Sequence, residues 1–204
     1  MNNGKLYIIA APSGAGKTSL VRQLVADLDN LTVSISHTTR QMRPGEMQGQ
    51  DYYFVTVADF QAMLEKQAFL EHARVFDNFY GTAQQTVEEN LKKGFDVILE
   101  IDWQGAQQIK KLLPDSLSIF ILPPSTEILL QRLRNRGQDD EQVIARRMRD
   151  AVTEISHHDE FDYLVVNDVF DQALTELKSI IIANRLTKQR QQHNLRVLLT
   201  SLLS

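Results

Sequence analysis

Short, mostly apolar runs, each followed by a segment of helical periodicity, constrain the fold of this chain more than any other feature. The runs are continuous rather than alternating, which is typical of strands that are buried on both faces of a sheet. They lie at residues 6–10, 97–101, 119–122 and 163–166. The helical segments that follow them lie at about residues 17–28, 103–113, 125–136 and 169–190. Strand–helix repetition of this kind predicts an α/β fold, in which a parallel sheet is covered by helices on both sides.

Two stretches interrupt this pattern. Residues of about 33–82 contain short predicted strands at Val33 to Ser36 and Tyr52 to Val57, and a predicted helix near 59–67. Thr56 and Asp59 resemble a capping box at the start of that helix. Residues of about 125–157 are rich in arginine. We expect both stretches to be insertions at the carboxyl edge of the sheet, where open α/β folds bind their ligands.

Composition narrows the function classes. The chain has 204 residues, with 22 basic against 26 acidic side chains and a net charge of −4, which argues against binding a nucleic-acid backbone through bulk charge. The chain has no cysteine, which excludes a disulfide framework, a thiolate zinc site and a cysteine nucleophile. No apolar run approaches the roughly 18 residues that span a bilayer. The sequence therefore predicts a cytoplasmic protein with no membrane partner.

The turn after the first apolar run carries a phosphate-binding pattern. The turn reads Ala11-Pro12-Ser13-Gly14-Ala15-Gly16-Lys17-Thr18. These residues match G-x-x-x-x-G-K-[ST] except at Ala11. Glycines let successive backbone N–H groups turn toward phosphate oxygens, and the following helix adds its positive N-terminal end. Lys17 is expected to neutralise the β and γ phosphates of a nucleotide, and the Thr18 hydroxyl to bind Mg²⁺.

Chance is the alternative explanation for so short a pattern. A bare G-K-[ST] triplet arises by chance in roughly one of ten chains of this length, at ordinary amino-acid frequencies. The buried strand before the loop and the amphipathic helix after it are the context that nucleotide binding requires, and they favour that function. An alanine would be strained at a positive φ, so we expect an ordinary negative φ at Ala11.

Further motifs follow the loop in a fixed order along nearly the whole chain. They lie at residues 36–40, 43–46, 49–54, 69–71, 78–82, 101–105, 132–137 and 166–168. Together with the loop they resemble the guanylate kinases, the nucleoside-monophosphate kinases that act on GMP. The resemblance implies a core of residues 1–34, 83–124 and 158–204, a GMP-binding subdomain of residues 35–82, and a lid of residues 125–157. It also implies the reaction ATP + GMP = ADP + GDP with Mg²⁺ as the cofactor.

The resemblance implies a set of side chains for the phosphate of GMP. Arg40 and Arg43 are expected to bind it, because guanidinium groups pair bidentately with phosphate oxygens. Tyr52 and Tyr80 would add hydrogen bonds from their hydroxyl groups. Taken one at a time, such arginines are more often solvated surface charges. Their occurrence together in the order of the family favours the GMP site.

A second set implied by the resemblance recognises the base. Glu71 is expected to accept hydrogen bonds from the N1–H and the N2 amine of guanine. Ser36 and Thr82 would donate hydroxyl bonds near the O6 atom. Asp102, just after a central strand, would lie between the two nucleotides, where it is also a candidate ligand of Mg²⁺. Glu100 departs from the aspartate that is common in the family, which puts a metal role for that residue in doubt.

The resemblance also implies the ATP site and the catalytic charges. The ATP-binding residues would be the loop from Ala11 to Thr18 with two later side chains, Arg132 against the adenine and Asn167 at the base edge. The expected catalytic residues are Lys17, Arg40, Arg43, Arg136 and Arg147. No nucleophilic triad is expected, because phosphoryl transfer depends on positioning and charge stabilisation.

Two alternative functions are disfavoured by the residues of this sequence. A non-catalytic interaction module of the same fold would lose parts of the phosphate loop, whereas Lys17 and Thr18 are present here. A nucleotide-dependent switch would need a base-reading N-K-x-D motif, which the sequence lacks. The expected partners are ATP and GMP, with dGMP as a further acceptor, and no nucleic acid. The sequence leaves homo-oligomer formation open.

Overall fold

The computed structural model describes residues 4–75, 77–135 and 140–204. Within these ranges the strands are β1 (Leu6–Ala10), β2 (Leu31–Val33), β3 (His37–Thr38), β4 (Tyr53–Phe54), β5 (Phe69–Val75), β6 (Asn78–Ala83), β7 (Asp96–Glu100), β8 (Leu117–Leu122) and β9 (Tyr163–Val166). The α-helices of the same ranges are α1 (Lys17–Asp27), α2 (Val57–Glu65), α3 (Gln84–Lys92), α4 (Trp103–Leu112), α5 (Thr126–Asn135), α6 (Glu141–Ser156), α7 (Phe170–Arg185), α8 (Lys188–Asn194) and α9 (Arg196–Leu202).

The core is a five-stranded parallel sheet with the order β2-β7-β1-β8-β9. The central strand β1 alternates its side chains between two buried layers. Tyr7 and Ile9 pack in the layer that contains residues of α1 and α7, while Leu6 and Ile8 pack in the layer that contains residues of α3 and α4. Because both faces are covered, the strand is apolar throughout. The predicted fold class is therefore confirmed.

The second stretch of strands forms a sheet of its own, with the order β4-β3-β6-β5. Its largest part is the antiparallel hairpin of β5 and β6, and α2 packs beside it through Phe60, which stacks on Phe69 and Phe79 with ring centroids 4.5 and 5.5 Å apart. The Thr56 side chain accepts from the backbone N–H of Asp59 at 3.1 Å, so the predicted cap is confirmed. The helix begins at Val57, two residues earlier than predicted.

The arginine-rich stretch contains helices α5 and α6, which share a small apolar cluster. Leu129 and Leu133 of α5 are buried in it with Ile144 and Ala151 of α6. A Cβ built on Gly14 would lie 2.9 Å from Leu129 Cδ1, so α5 also packs closely against the loop that follows β1. The first helix of the stretch is thus part of the wall of that loop.

The helix predicted at residues 169–190 is divided into α7 and α8. Asp96, at the start of β7, is 1% exposed, and it accepts from Arg185 Nε at 2.8 Å and from Arg190 Nη2 at 2.9 Å. The break between the helices lets both guanidinium groups reach one buried carboxylate. Among the described residues, no helix is both long and apolar enough to cross a membrane.

Candidate active site

A cleft of about 560 Å³ lies at the carboxyl end of the core sheet and is lined from three sides by the core, by the segment 35–82 and by α6. Its lining includes most of the predicted site residues: Ala11, Pro12, Ser13, Gly14, Gly16, Lys17, Thr18, Ser36, Arg40, Arg43, Tyr52, Glu71, Tyr80, Asp102 and Arg147. Segments far apart in the sequence therefore meet at one cavity, as the topology of an open parallel sheet allows.

The loop of residues 11–18, called the phosphate loop below, follows directly from β1 and ends in the first turn of α1. Gly14 and Gly16 have φ values of 98° and 91°, which residues with a Cβ adopt only under strain. Among the described residues, the non-glycine residues with positive φ are Asn30, Gln67 and Asp77, so the expectation of an ordinary φ at Ala11 is confirmed. The two glycines let the backbone curl around a central space.

Lys17 and Thr18 begin α1 and contact the end of the neighbouring strand β7. Lys17 Nζ donates to the carbonyl oxygen of Ile101 at 3.4 Å, and Thr18 Oγ1 donates to Glu100 Oε2 at 3.3 Å. These contacts exist because β7 pairs with β1, so the residues after both strands emerge side by side. An ammonium, a hydroxyl and a carboxylate thus meet at the mouth of the phosphate loop.

A buried polar cluster borders the cleft on the side of the segment 35–82. Glu71 and Thr82 are paired across β5 and β6, and Thr82 Oγ1 donates to Glu71 Oε1 at 2.5 Å. Ser36 Oγ lies 3.4 Å from Thr82 Oγ1. All three side chains are buried, at 8% exposed or less. The structure therefore brings together the three side chains that were predicted to recognise the base.

Burial raises the pKa of Glu71 to about 7, and the charge of Asp102 adds to the rise. The hydrogen bond from Thr82 and the charge of Lys17 oppose it. A carboxyl group with a pKa so near neutrality is one whose charged form is poorly solvated. Donors from a ligand would favour its ionised form.

The amino end of α4 supports this cluster. Asp102 caps the helix, since its Oδ1 accepts from the Gly105 N–H at 2.9 Å, and Gln104 donates to its Oδ2 at 3.2 Å. A Cβ built on Gly105 would lie 2.6 Å from Glu71 Oε2. Gly105 was not predicted as a site residue. A residue without a side chain at this position leaves room for the Glu71 carboxylate.

The two arginines predicted to bind phosphate lie around a carboxylate of the chain itself. Arg40 donates from Nη1 and Nη2 to the two oxygens of Glu46, at 3.0 and 2.7 Å. The backbone N–H of Arg43 donates to Glu46 Oε2 at 2.7 Å. Glu46 also lines the cleft, and the sequence analysis quoted it in a motif without giving it a role.

Tyr52 and Tyr80 lie beside these arginines with their rings edge to face and 5.9 Å apart. The Arg40 guanidinium lies over the Tyr52 ring, 5.4 Å from its centroid. Burial raises the pKa of Tyr52 to about 12, so its hydroxyl keeps its proton at neutral pH. The Tyr52 hydroxyl is therefore placed as a neutral donor next to the Arg40 guanidinium group.

Helix α6 contributes Arg147 and Glu154 to the cleft. The sequence analysis missed Glu154, whose pKa is raised to about 7, chiefly by burial. The charges of Lys17 and Asp102 act on it, which places it within electrostatic reach of the phosphate loop. Glu154 lies seven residues after Arg147 in the sequence. That spacing puts both side chains on one face of a helix and could have predicted its place in the cleft. The predicted catalytic Arg136 lies outside the described residues.

Four predicted residues lie behind the cleft wall rather than in the described lining: Ala15, Thr82, Arg132 and Asn167. Arg132 Nη2 donates to the carbonyl oxygen of Asn167 at 2.9 Å, and its Nη1 is buried with no hydrogen-bond partner in the described part of the chain. Asn167 Nδ2 donates to the carbonyl oxygen of Ala15 at 2.7 Å. Asn167 thus lies directly against the phosphate loop, and Arg132 is joined to it through Asn167.

Protein side chains alone do not form a metal site in the described ranges. No group of three or more histidine, cysteine, aspartate or glutamate side chains is close enough there to hold an ion. A cation at the Thr18 hydroxyl would need oxygen ligands from a nucleotide to complete its shell.

Comparisons with known sequences and structures agree with one another. The family model described as "Guanylate kinase" matches residues 3–184. The guanylate kinase of Saccharophagus degradans is 60% identical over 98% of this chain and 98% of its own length. That of Methylococcus capsulatus is 59% identical over 100% of both chains. A crystal structure of guanylate kinase from Anaplasma phagocytophilum superposes with a TM-score of 0.77 at 34% identity, covering 93% of this chain and 90% of that one.

Proposed function

The chain belongs to the guanylate kinase family, and we propose how its cleft carries out the reaction of that family, ATP + GMP = ADP + GDP. The observation that carries the proposal is the shared cleft, in which a buried carboxylate with hydroxyl neighbours lies at one end and a glycine-rich phosphate loop at the other. A purine monophosphate and the triphosphate of ATP would meet between them.

Guanine is selected by Glu71. Its carboxylate accepts from the N1–H and the N2 amine of the base, while Thr82 and Ser36 complete the polar surface around it. Adenine presents an unprotonated N1 at the same place, which would leave a buried charge without a donor. Sites built around such hydrogen bonds reject analogues that lack them by factors on the order of 10⁴.

The phosphate of GMP is bound by Arg40, Arg43, Tyr52 and Tyr80. Glu46 holds the Arg40 guanidinium in place through two hydrogen bonds. Arginine has further donors that remain for a phosphate, since its planar group carries five N–H bonds. Glu46 therefore orients Arg40 toward the acceptor before GMP binds.

ATP lies along the phosphate loop, with its γ-phosphoryl group directed at the GMP phosphate. An oxygen of that phosphate attacks the γ-phosphorus, the bond to the β–γ bridging oxygen breaks, and ADP leaves with the bonding electrons. Lys17, Arg147 and Arg136 stabilise the negative charge that moves during this transfer. Arg132, whose Nη1 makes no hydrogen bond in the described part of the chain, contacts the adenine.

The residues at the loop fit a magnesium ion. Thr18 Oγ1 and Glu100 Oε2 lie 3.3 Å apart, and hydroxyl and carboxylate oxygens are the ligands that Mg²⁺ prefers. We infer that these two side chains hold the ion together with the ATP phosphates. When bound, the ion would neutralise charge on the β and γ phosphates. Asp102 remains a candidate ligand, although α4 already engages both of its oxygens.

The acceptor specificity tests the proposal. ADP release from ATP is measured with GMP, dGMP, IMP, AMP and UMP as acceptors, with Lys17→Ala as the matched inactive variant. We expect rapid turnover with GMP and dGMP, and a large loss of kcat in Lys17→Ala with unchanged thermal stability, since the ammonium acts mainly on the migrating phosphoryl group. Turnover confined to AMP or UMP would contradict the proposal. The cytoplasmic location and the oligomeric state stay predictions.

A further inference from the structure

The peptide that joins Ala15 to Gly16 is held from behind by Asn167. The Asn167 side chain is 5% exposed, and its Nδ2 donates to the Ala15 carbonyl oxygen at 2.7 Å. A Cβ built on Gly16 would lie 2.4 Å from the same nitrogen, so the amide lies directly against the loop backbone. The side chain of Asn167 therefore contacts the phosphate loop on the side away from the cleft.

This contact fixes the direction of a backbone donor. A trans peptide is planar, and its C=O and N–H bonds point in opposite directions. With the Ala15 carbonyl turned toward Asn167, the N–H of Gly16 points to the other side, where Gly16 lines the cleft. Gly16 has a φ of 91° and no Cβ, so its own side of the peptide adds no steric barrier to rotation. The hydrogen bond from Asn167 selects the orientation in which the loop can bind a phosphate oxygen.

Asn167 is itself fixed by its backbone. Its N–H donates to the carbonyl oxygen of Leu122, at the end of β8, at 2.8 Å. Its carbonyl oxygen accepts from Arg132 Nη2 at 2.9 Å. Asn167 thus joins the end of the sheet and helix α5 to the loop, and a donor whose backbone is held at two points loses little further entropy on holding the loop.

We propose that Asn167 is a positioning residue for the ATP phosphates, acting through the Ala15–Gly16 peptide, and that it does not recognise the adenine base. The proposal rests on ATP being the phosphoryl donor. It replaces the base contact that the family resemblance implied for Asn167, because Asn167 is not among the described residues that line the cleft and one of its two amide N–H bonds is directed to the loop.

The test compares two triphosphates that differ at the base. Purine riboside 5′-triphosphate lacks the exocyclic amine of ATP, and Asn167→Leu removes the amide at similar volume. We expect the dissociation constants of ATP and of the analogue, measured by calorimetry, to rise by the same factor of about ten or more, the value of one lost hydrogen bond in a buried site. The dissociation constant of GMP should not change. A loss confined to ATP, no loss at all, or an equal loss for GMP would each overturn the proposal.

Asn184→Leu is the matched control. Asn184 Oδ1 accepts from the Tyr7 hydroxyl at 3.0 Å and from Arg190 Nη1 at 3.1 Å, at the end of β1 that is remote from the loop. The Asn184→Leu substitution should lower thermal stability and leave triphosphate binding unchanged. Weakened triphosphate binding in this variant would show that a general loss of stability, and not the loop contact, explains the result for Asn167→Leu. The binding measurements need no acceptor, so they remain decisive if GMP fails as a substrate, which would contradict only the proposed reaction.

Discussion

The surroundings of the Glu71 carboxylate leave it able to accept two hydrogen bonds from guanine. Thr82 donates to one of its oxygens, and Gly105 leaves space beside the other. Glu71→Gln keeps the shape and replaces an acceptor by an amide donor that opposes the donors of guanine. We expect transition-state stabilisation for GMP, calculated from the ratio of the kcat/KM values, to fall by about 2–4 kcal/mol, with unchanged ATP affinity. IMP lacks the N2 amine and should lose less, so steady-state kinetics with equal losses for GMP and IMP would contradict the assignment.

The raised pKa of Glu71 predicts a pH dependence of GMP binding. Burial raises the pKa to about 7, whereas guanine requires the ionised carboxylate, so binding below that pH must release a proton. The affinity for GMP should therefore be constant above about pH 7 and fall by up to about tenfold for each pH unit below it. Calorimetric titrations of the wild type and Glu71→Gln over this range isolate the effect, since the phosphate of GMP titrates equally in both. Parallel pH profiles for the two proteins would refute the prediction.

The side chains that sequence reasoning missed are those whose role depends on a neighbour. Glu46 belongs to a quoted motif, yet its pairing with Arg40 follows from the fold of residues 40–46. Gly105 matters because β5 brings Glu71 against α4, although the two residues are far apart in the sequence. Residue types and spacing predicted which groups form the site, and could not predict which of them touch.

Among the elements, strands β1, β7, β8 and β9 and helices α1, α4 and α5 were predicted within a few residues, since each is defined by a local apolar pattern. Helix α3 was not predicted. The strand predicted at residues 33–36 ends at Val33 in the structure, where it is β2 of the core sheet. The hairpin of β5 and β6 was not predicted as such. Its residues carry polar groups toward the cleft, and its pairing shifts register between Phe69 and Glu71. The division of α7 from α8 was not predicted either. It depends on the buried partner of Arg185 and Arg190, which is Asp96 on a strand distant in the sequence.

Helix α4 allows a prediction at the scale of one element. Gly105→Ala should stabilise an isolated helix by up to about 1 kcal/mol, because alanine has the higher helix propensity. The new Cβ would lie 2.6 Å from Glu71 Oε2 and must displace that carboxylate. We expect the KM for GMP to rise by at least about tenfold, the cost of one misplaced charged hydrogen bond, with the KM for ATP unchanged. Lys111→Ala, on an exposed position of the same helix, is the control, and a normal KM for GMP in Gly105→Ala would contradict the contact.

At the scale of the whole molecule, ion pairs connect the walls of the cleft. Arg22 of α1 pairs with Asp51 of the segment 35–82, and Arg146 of α6 pairs with Asp77 at the tip of the β5–β6 hairpin at 3.4 Å. The phosphoryl group must be kept from water during transfer, so the walls are expected to approach one another when both nucleotides bind. Because α5 packs against Gly14, we expect the movement to involve α6 and the segment 35–82.

Arg22→Ala tests this closure, since it removes a contact between walls without altering the fold of either. Arg22 is 69% exposed at its side chain, and an exposed pair is worth up to about 1 kcal/mol, so thermal stability should change little. If the pair favours the closed arrangement, the same free energy should raise the KM for GMP by about two- to fivefold. Small-angle scattering should give a larger radius of gyration for the ligand-free variant than for the ligand-free wild type, and equal radii for both with a bisubstrate analogue. Equal radii without ligand, together with an unchanged KM, would show that the cleft closes without help from this ion pair.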